Sequence, residues 1–295
     1  MPGLKEVRIR IGSVKSTQQI TNAMRMVAAS KLRRAQNAII RLRPYSAKLR
    51  EIMENLSAAA GETTGSVYAE ERKPVRILLV VLTSNRGLCG AFNTNVIKAA
   101  LHLMGTAYAD QHQRNDVSLI TVGRKATEFF RKRKYKVADS WDEVYDQLSY
   151  EKVSPYAEKL MKAFADKEYD RIVLVYNQFK NAATQRLVEE QYLPVLQPET
   201  PDQPGKKAVA DYIFEPSQEQ LLHELLPKSL RIQFHKAVLD SFASEQGARM
   251  TAMQKATDNA KEILRNLQIS YNKARQNAIT KELLEIVAGA EALKG

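Results

Sequence analysis

Apolar and small residues recur along the C-terminal part of the chain at Met250, Met253, Thr257, Ala260, Leu264, Leu267, Tyr271, Ala274 and Ala278. Their spacing alternates between three and four residues, which is the heptad seam of a coiled-coil helix. From Lys228 to Leu293 there is no proline, and the only glycines are Gly247 and Gly289. One helix of roughly 100 Å is expected there. After Ala278 the apolar set slips by one residue, to Ile279, Leu283, Ile286, Ala290 and Leu293, with Val287 and Ala288 added. A seam buries one stripe, but a tip that is apolar over most of its circumference needs something to enclose it. The length and the late slip favour a rod whose end inserts into a partner over the core helix of a bundle.

The opposite end of the chain carries the same pattern. Residues 4–57 read as one helix of roughly 80 Å. Leu4, Val7, Ile11 and Val14 form one seam, and Ala28, Leu32, Ala35, Ile39 and Leu42 form another. The register changes between Gln18 and Met24. Pro44 lacks an amide donor and should kink the helix or restart it at Tyr45. If the two terminal helices pair, they pair antiparallel, because the segment between them returns the chain to its starting point. Ala28, Ala35, Ala260 and Ala274 would let the backbones come close, and the longer C-terminal helix would project beyond its partner.

Residues 58–73 are small and polar, with Gly61 and Gly65 as breakers, and read as a helix end and a linker. Val75–Thr83 is a near-continuous run of branched apolar residues, as in a parallel strand covered on both faces. The turn 84–90 and a helix at Asn93–Met104 follow it. Strand Val117–Val122 leads through Gly123 into helix Arg124–Arg131. A weaker strand is expected at Tyr135–Ala138, a helix at Pro155–Ala165 and a strand at Arg171–Tyr176. Thr184–Leu193 reads as an edge or hairpin strand ended by Pro194. This alternation predicts an α/β domain. Residues 197–206 form a proline-rich loop. A short strand at Val209–Phe214 and a helix at Ser217–Leu226 then lead to Pro227, which suits the first turn of the terminal helix. The predicted fold is a long antiparallel coiled coil with an inserted α/β, Rossmann-like domain. Its parts are residues 1–60, 74–215 and 217–295.

Charge narrows the reading. The net charge is +12, and residues 1–60 hold 12 Lys and Arg against 3 Asp and Glu. An acidic protein surface, nucleic acid and an anionic membrane are all compatible with that. The basic residues fall on several faces and interleave with the seam, unlike a basic region that precedes a zipper. No apolar run is long enough to span a membrane. The N-terminus lacks the apolar stretch of a secretory signal, and its heptads begin too early for a transit peptide. The single cysteine, Cys89, excludes an intrachain disulfide.

Candidate chemistry is sparse. The turn SNRGLCGAFN (84–93) is neither a P-loop nor a dinucleotide fingerprint, so a tight strand-to-helix turn is the expected reading. Cys89 is the one candidate nucleophile, yet His102, His112, His223 and His235 have no triad or metal spacing. Asp139, Asp142, Glu143 and Asp146 read as a solvated surface. No catalytic, cofactor-binding or metal-binding residue is assigned.

Three stretches together carry a resemblance: residues 9–36 (IRIGSVKSTQQITNAMRMVAASKLRRAQ), the turn 84–93, and residues 249–293 (RMTAMQKATDNAKEILRNLQISYNKARQNAITKELLEIVAGAEAL). In this order they resemble the gamma subunit family of F-type ATP synthases. The match covers both ends and the first strand and turn of the insert, and between about 105 and 210 it is one of architecture. The resemblance implies a non-catalytic central rotor shaft without cofactors, coupling ion flow to ATP synthesis. Its partners would be three alpha and three beta subunits, the epsilon subunit and the membrane ring of c subunits. The expected location is the cytoplasmic face of a bacterial plasma membrane, with no membrane span and no nucleic acid. Arg275 and Gln276 match the family's pair that engages a beta-subunit loop. Met24 and Arg25 match the segment beside the acidic lever of beta, and Arg86 and Cys89 match the turn facing that region. Ile279, Leu283 and Ile286 belong to the apolar tip expected to seat in a collar. Asn85 stands where the family usually has an acidic residue, and the plant chloroplast form's pair of redox cysteines is missing. The alternative reading is a basic coiled-coil protein that binds nucleic acid, and the third is a small-molecule enzyme using Cys89.

Overall fold

The computed structural model describes residues 4–60, 67–182, 184–195 and 218–292. The predicted breakers Gly61 and Gly65, the loop 197–206 and the strand Val209–Phe214 lie outside them. Two long helices, α1 (Leu4–Ala60) and α6 (Gln218–Ala292), flank an inserted α/β sheet. At the usual rise they run about 85 Å and about 110 Å. Between them come β1 (Ile77–Leu82), α2 (Phe92–Gly105), α3 (Ala109–Gln113), β2 (Val117–Val122), α4 (Arg124–Lys132), β3 (Val137–Ser140), α5 (Tyr150–Ala165), β4 (Arg171–Phe179) and β5 (Gln185–Leu193). The chain forms two compact units, Met1–Ala29 with Arg249–Gly295, and Ser30–Ala248.

The sheet in the larger unit has the order β3-β2-β1-β4-β5. β1 pairs parallel with β2 and β4, β2 pairs parallel with β3, and β5 runs antiparallel to β4 at the edge. Every residue of β1 is buried, because the sheet is covered on both faces. Leu78, Val80 and Leu82 pack with Val153, Leu160 and Phe164 of α5 and with Leu230, Phe234 and Val238 of α6. Ile77, Leu79 and Val81 pack on the other face with Val96, Ala100 and Met104 of α2 and Ala126 and Phe130 of α4. The strand Val117–Val122 falls where the periodicity placed it.

Both prolines differ from expectation. α1 runs unbroken through Pro44, with Ile39 and Leu49 buried on either side. Packing of the flanking turns carries the helix across the lost amide bond, so there is no restart at Tyr45. α6 begins at Gln218, not Pro227, and Pro227 lies inside it. The four carboxylates at 139–146 are also not simply a solvated surface. Trp141 Nε1 donates to Asp139 Oδ2, and Thr127 Oγ1 donates to Asp142 Oδ1 at 3.2 Å. These bonds tie β3 and the 3₁₀ turn Asp142–Tyr145 to the core.

In the smaller unit the two helices pair antiparallel. Arg8 Nη2 donates to Tyr271 Oη at 2.9 Å, and Thr257 Oγ1 lies 2.9 Å from Thr21 Oγ1. Moving up α1 from Arg8 to Thr21 thus moves down α6 from Tyr271 to Thr257. The seam matches the heptads: Val7, Ala28, Met253, Thr257 and Ala260 are buried, and Leu4, Ile11, Val14, Leu264, Leu267, Tyr271, Ala274 and Ala278 are half-buried. The register change between the two α1 seams is filled by Gln18, Thr21, Asn22, Met24 and Arg25, all half-buried.

Candidate partner-binding surface

α6 changes character along its length. From Ala237 to Gly247 it is buried nearly all round, and from Ile279 to Ala292 every residue is exposed. Ile279 is 47% exposed, Leu283 57% and Ile286 67%, with Leu284 and Val287 beside them. Pairing with α1 ends at Ala278, the last half-buried seam residue, where the sequence pattern slips. Arg275 and Gln276 are exposed on the turn before it, and Thr280 Oγ1 donates to the Gln276 carbonyl at 3.0 Å. The end of α6 therefore presents a cation, an amide and a contiguous apolar surface.

Further along the same unit, Met24 and Arg25 are half-buried. Arg25 donates through Nε and Nη2 to Asn22 Oδ1, at 3.3 and 3.0 Å. This fork holds the guanidinium against its own helix. Across the pair, the Asp258 carboxyl is held below the usual range by the Gln254 amide first, then by Lys261 and Arg25.

The turn 84–93 belongs to the larger unit and links β1 to α2. Ser84 N donates to Asn93 Oδ1 at 2.9 Å, Ser84 Oγ donates to the Arg86 carbonyl at 2.7 Å, and Asn93 Nδ2 donates to Ser84 Oγ at 2.8 Å. Leu88 at φ 65 and Gly90 at φ 60 complete the reversal. Arg86 and Leu88 are exposed, whereas Cys89 is 1% exposed and accepts from Asn93 Nδ2 at 3.3 Å. The thiol supports the turn from within. Asn85 bridges outward: its Nδ2 donates to the Asp142 carbonyl at 2.8 Å, and its Oδ1 accepts from Arg124 N at 3.1 Å. A carboxylate here could accept but not donate, so it could not make both bonds.

Among the described residues no group of His, Cys, Asp and Glu could hold a metal ion. His235 is buried, with Nε2 at 2.9 Å from the Leu148 carbonyl, and desolvation holds its pKa below the usual value. No described helix is long and apolar enough to cross a membrane.

A family profile described as "ATP synthase" matches residues 3–293. An ATP synthase gamma chain from Christiangramia forsetii is 52% identical over 295 residues, covering 100% of both chains. The chain belongs to the ATP synthase gamma chain family. The gamma chain of Chlorobaculum tepidum is 49% identical, again over 100% of both. A chain in the cryo-EM structure of the Euglena gracilis mitochondrial ATP synthase has the same fold, with a TM-score of 0.70 at 24% identity over 98% of this chain and 94% of that one. As a family member the chain is a non-catalytic rotor subunit of the ATP synthase central stalk. Family membership also sets aside the reading of a small-molecule enzyme built on Cys89.

Proposed function

We propose that this gamma chain is the central shaft of a bacterial F-type ATP synthase, with the end of α6 held inside a head of three alpha and three beta subunits. The observation that carries the reading is the fully exposed, largely apolar stretch Ile279–Ala292 beyond the helix pair. A rotating bearing must grip without one deep angular minimum. Non-directional apolar contact supplies that better than buried ion pairs, whose strength depends on geometry.

In this reading Arg275 and Gln276 engage a loop of beta, and Ile279, Leu283 and Ile286 seat in an apolar collar. Met24, Arg25 and Arg86 meet an acidic lever of beta through screened, reversible contacts, and Cys89 acts there by holding the turn. The divisions 1–60, 74–215 and 217–295 then correspond to shaft, foot and shaft. The foot contacts the epsilon subunit and the ring of c subunits at the cytoplasmic face of the plasma membrane. The chain itself needs no cofactor and no nucleic acid.

The test is ATP hydrolysis by purified alpha and beta subunits with and without the chain. Activity and a single stoichiometric complex should appear only with it. Arg275→Glu should lower the yield of that complex or weaken its coupling, while the melting temperature of the free chain stays unchanged because Arg275 is exposed. Normal assembly and undiminished ATP synthesis with Arg275→Glu would remove that residue from the contact. If the chain neither binds nor stimulates, a salt-dependent DNA titration tests the nucleic-acid alternative raised by the basic N-terminal helix.

A further inference from the structure

In the larger unit a cavity of about 1060 Å³ lies between residues 39–51 of α1, residues 226–240 of α6, and the ends of β4 and β5. Asp240 lines it and is 4% exposed. Among the described residues no donor lies within hydrogen-bond or ion-pair distance of its carboxylate. A buried carboxylate without a bonded partner resists ionisation, because the charge has lost most of its water and no hydrogen bond replaces it.

Charged groups approach it from each element around the cavity. Lys236 lies one turn earlier on α6, Arg43 and Glu51 come from α1, Glu190 and Arg186 from β5, and Lys180 from the end of β4. Glu190 is anchored, accepting from Tyr176 Oη and from Gln233 Nε2, both at 2.7 Å. Tyr176 of β4 also feels the charge of Asp240. Burial pushes the Asp240 carboxyl up to about 6, with Lys236 and Arg43 acting against the rise and Glu190 adding to it.

We propose that Asp240 is a proton-binding site in this cavity, vacant at neutral pH and filled on mild acidification, and that the proton strengthens the packing of α1, α6 and β5 around it. Filling it removes a buried charge that lacks a bonded partner among the described residues. The ionised form demands hydration, whereas the neutral carboxyl can sit in a dry, more closely packed cavity. The folded chain then binds the proton more tightly than the unfolded chain, whose carboxyl titrates near 3.8. Stability supplied by this group is lost as pH rises from 3.8 to about 6, and the ionised form burdens the fold above that.

The experiment is thermal melting of the full chain from pH 5 to pH 8, as wild type and as Asp240→Asn. The variant should melt higher than wild type at pH 8, and the gap should narrow as pH falls through about 6 towards 5. Subtracting the variant's profile removes the titration of every other carboxylate. A constant gap across the range, or a variant that melts lower at pH 8, would overturn the proposal. Carbon-13 NMR of labelled aspartates reads the site directly, through one carboxyl that titrates near 6 in wild type and is missing from the variant. Lys236→Gln keeps Asp240 and removes an opposing cation, so that resonance should then titrate at higher pH. An unmoved midpoint would count equally against the site.

Discussion

Gly123→Ala should destabilise the α/β unit by about 3 kcal/mol or more. Gly123 sits at φ 95 between β2 and α4. A Cβ there would come within 2.3 Å of the Thr83 carbonyl oxygen and 2.8 Å of its carbon. Thr83 cannot retreat. Its amide donates to the Val122 carbonyl at 2.8 Å, and its Oγ1 accepts from Ala126 N at 2.9 Å. These bonds also fix the start of the turn 84–93, so relief of the clash would disturb the surface that carries Arg86. Urea unfolding followed by the single tryptophan is the measurement, since Trp141 is buried in the α5–α6 face of the sheet. An unchanged midpoint would mean that the β2–α4 junction has slack the distances do not show.

The second large effect concerns the assembly and not the chain. In Ile279→Asp/Leu283→Asp/Ile286→Asp the free chain should melt within about 0.5 kcal/mol of wild type, because all three side chains already face solvent. The complex with alpha and beta should fall apart at a markedly lower temperature. Fully burying one such side chain is worth about 1.5–3 kcal/mol, so three together supply on the order of 5 kcal/mol, and each carboxylate adds a desolvation cost. Native thermal stability of the complex with this triple variant would show that the tip is not enclosed.

What the sequence disclosed depended on the range of the forces involved. The 3-4 spacing maps directly onto burial, since helix geometry alone places Met253, Thr257 and Ala260 on one stripe. The end of the pairing at Ala278 was legible for the same reason. The run Ile77–Leu82 announced a doubly covered strand by having no polar side. Prolines misled because their local cost is certain while the packing that offsets it is remote: Pro44 is held by Ile39 and Leu49, and Pro227 lies within a helix anchored by Leu230 and Phe234. Asp240 was silent. Its neighbours Arg43 and Glu190 lie far away in sequence, and within α6 it looks like any surface carboxylate. Cys89 was marked by its motif, but the bond from Asn93 that turns it inward has no periodic signature.

The hydroxyl contact between Thr21 and Thr257 sets a length as well as a pairing. Sliding α6 along α1 by one heptad would keep apolar residues facing apolar residues, so greasy packing alone would tolerate it. It would lose the bond between the two hydroxyls, leaving each only the carbonyl of its own helix, Gln18 for Thr21 and Met253 for Thr257, and it would change the projection of α6 by about 10 Å. A socket built to receive Ile279, Leu283 and Ile286 would then be missed by a full turn or more. The two hydroxyls act as the notch on a key: they bring little adhesion, and they decide how far the blade reaches.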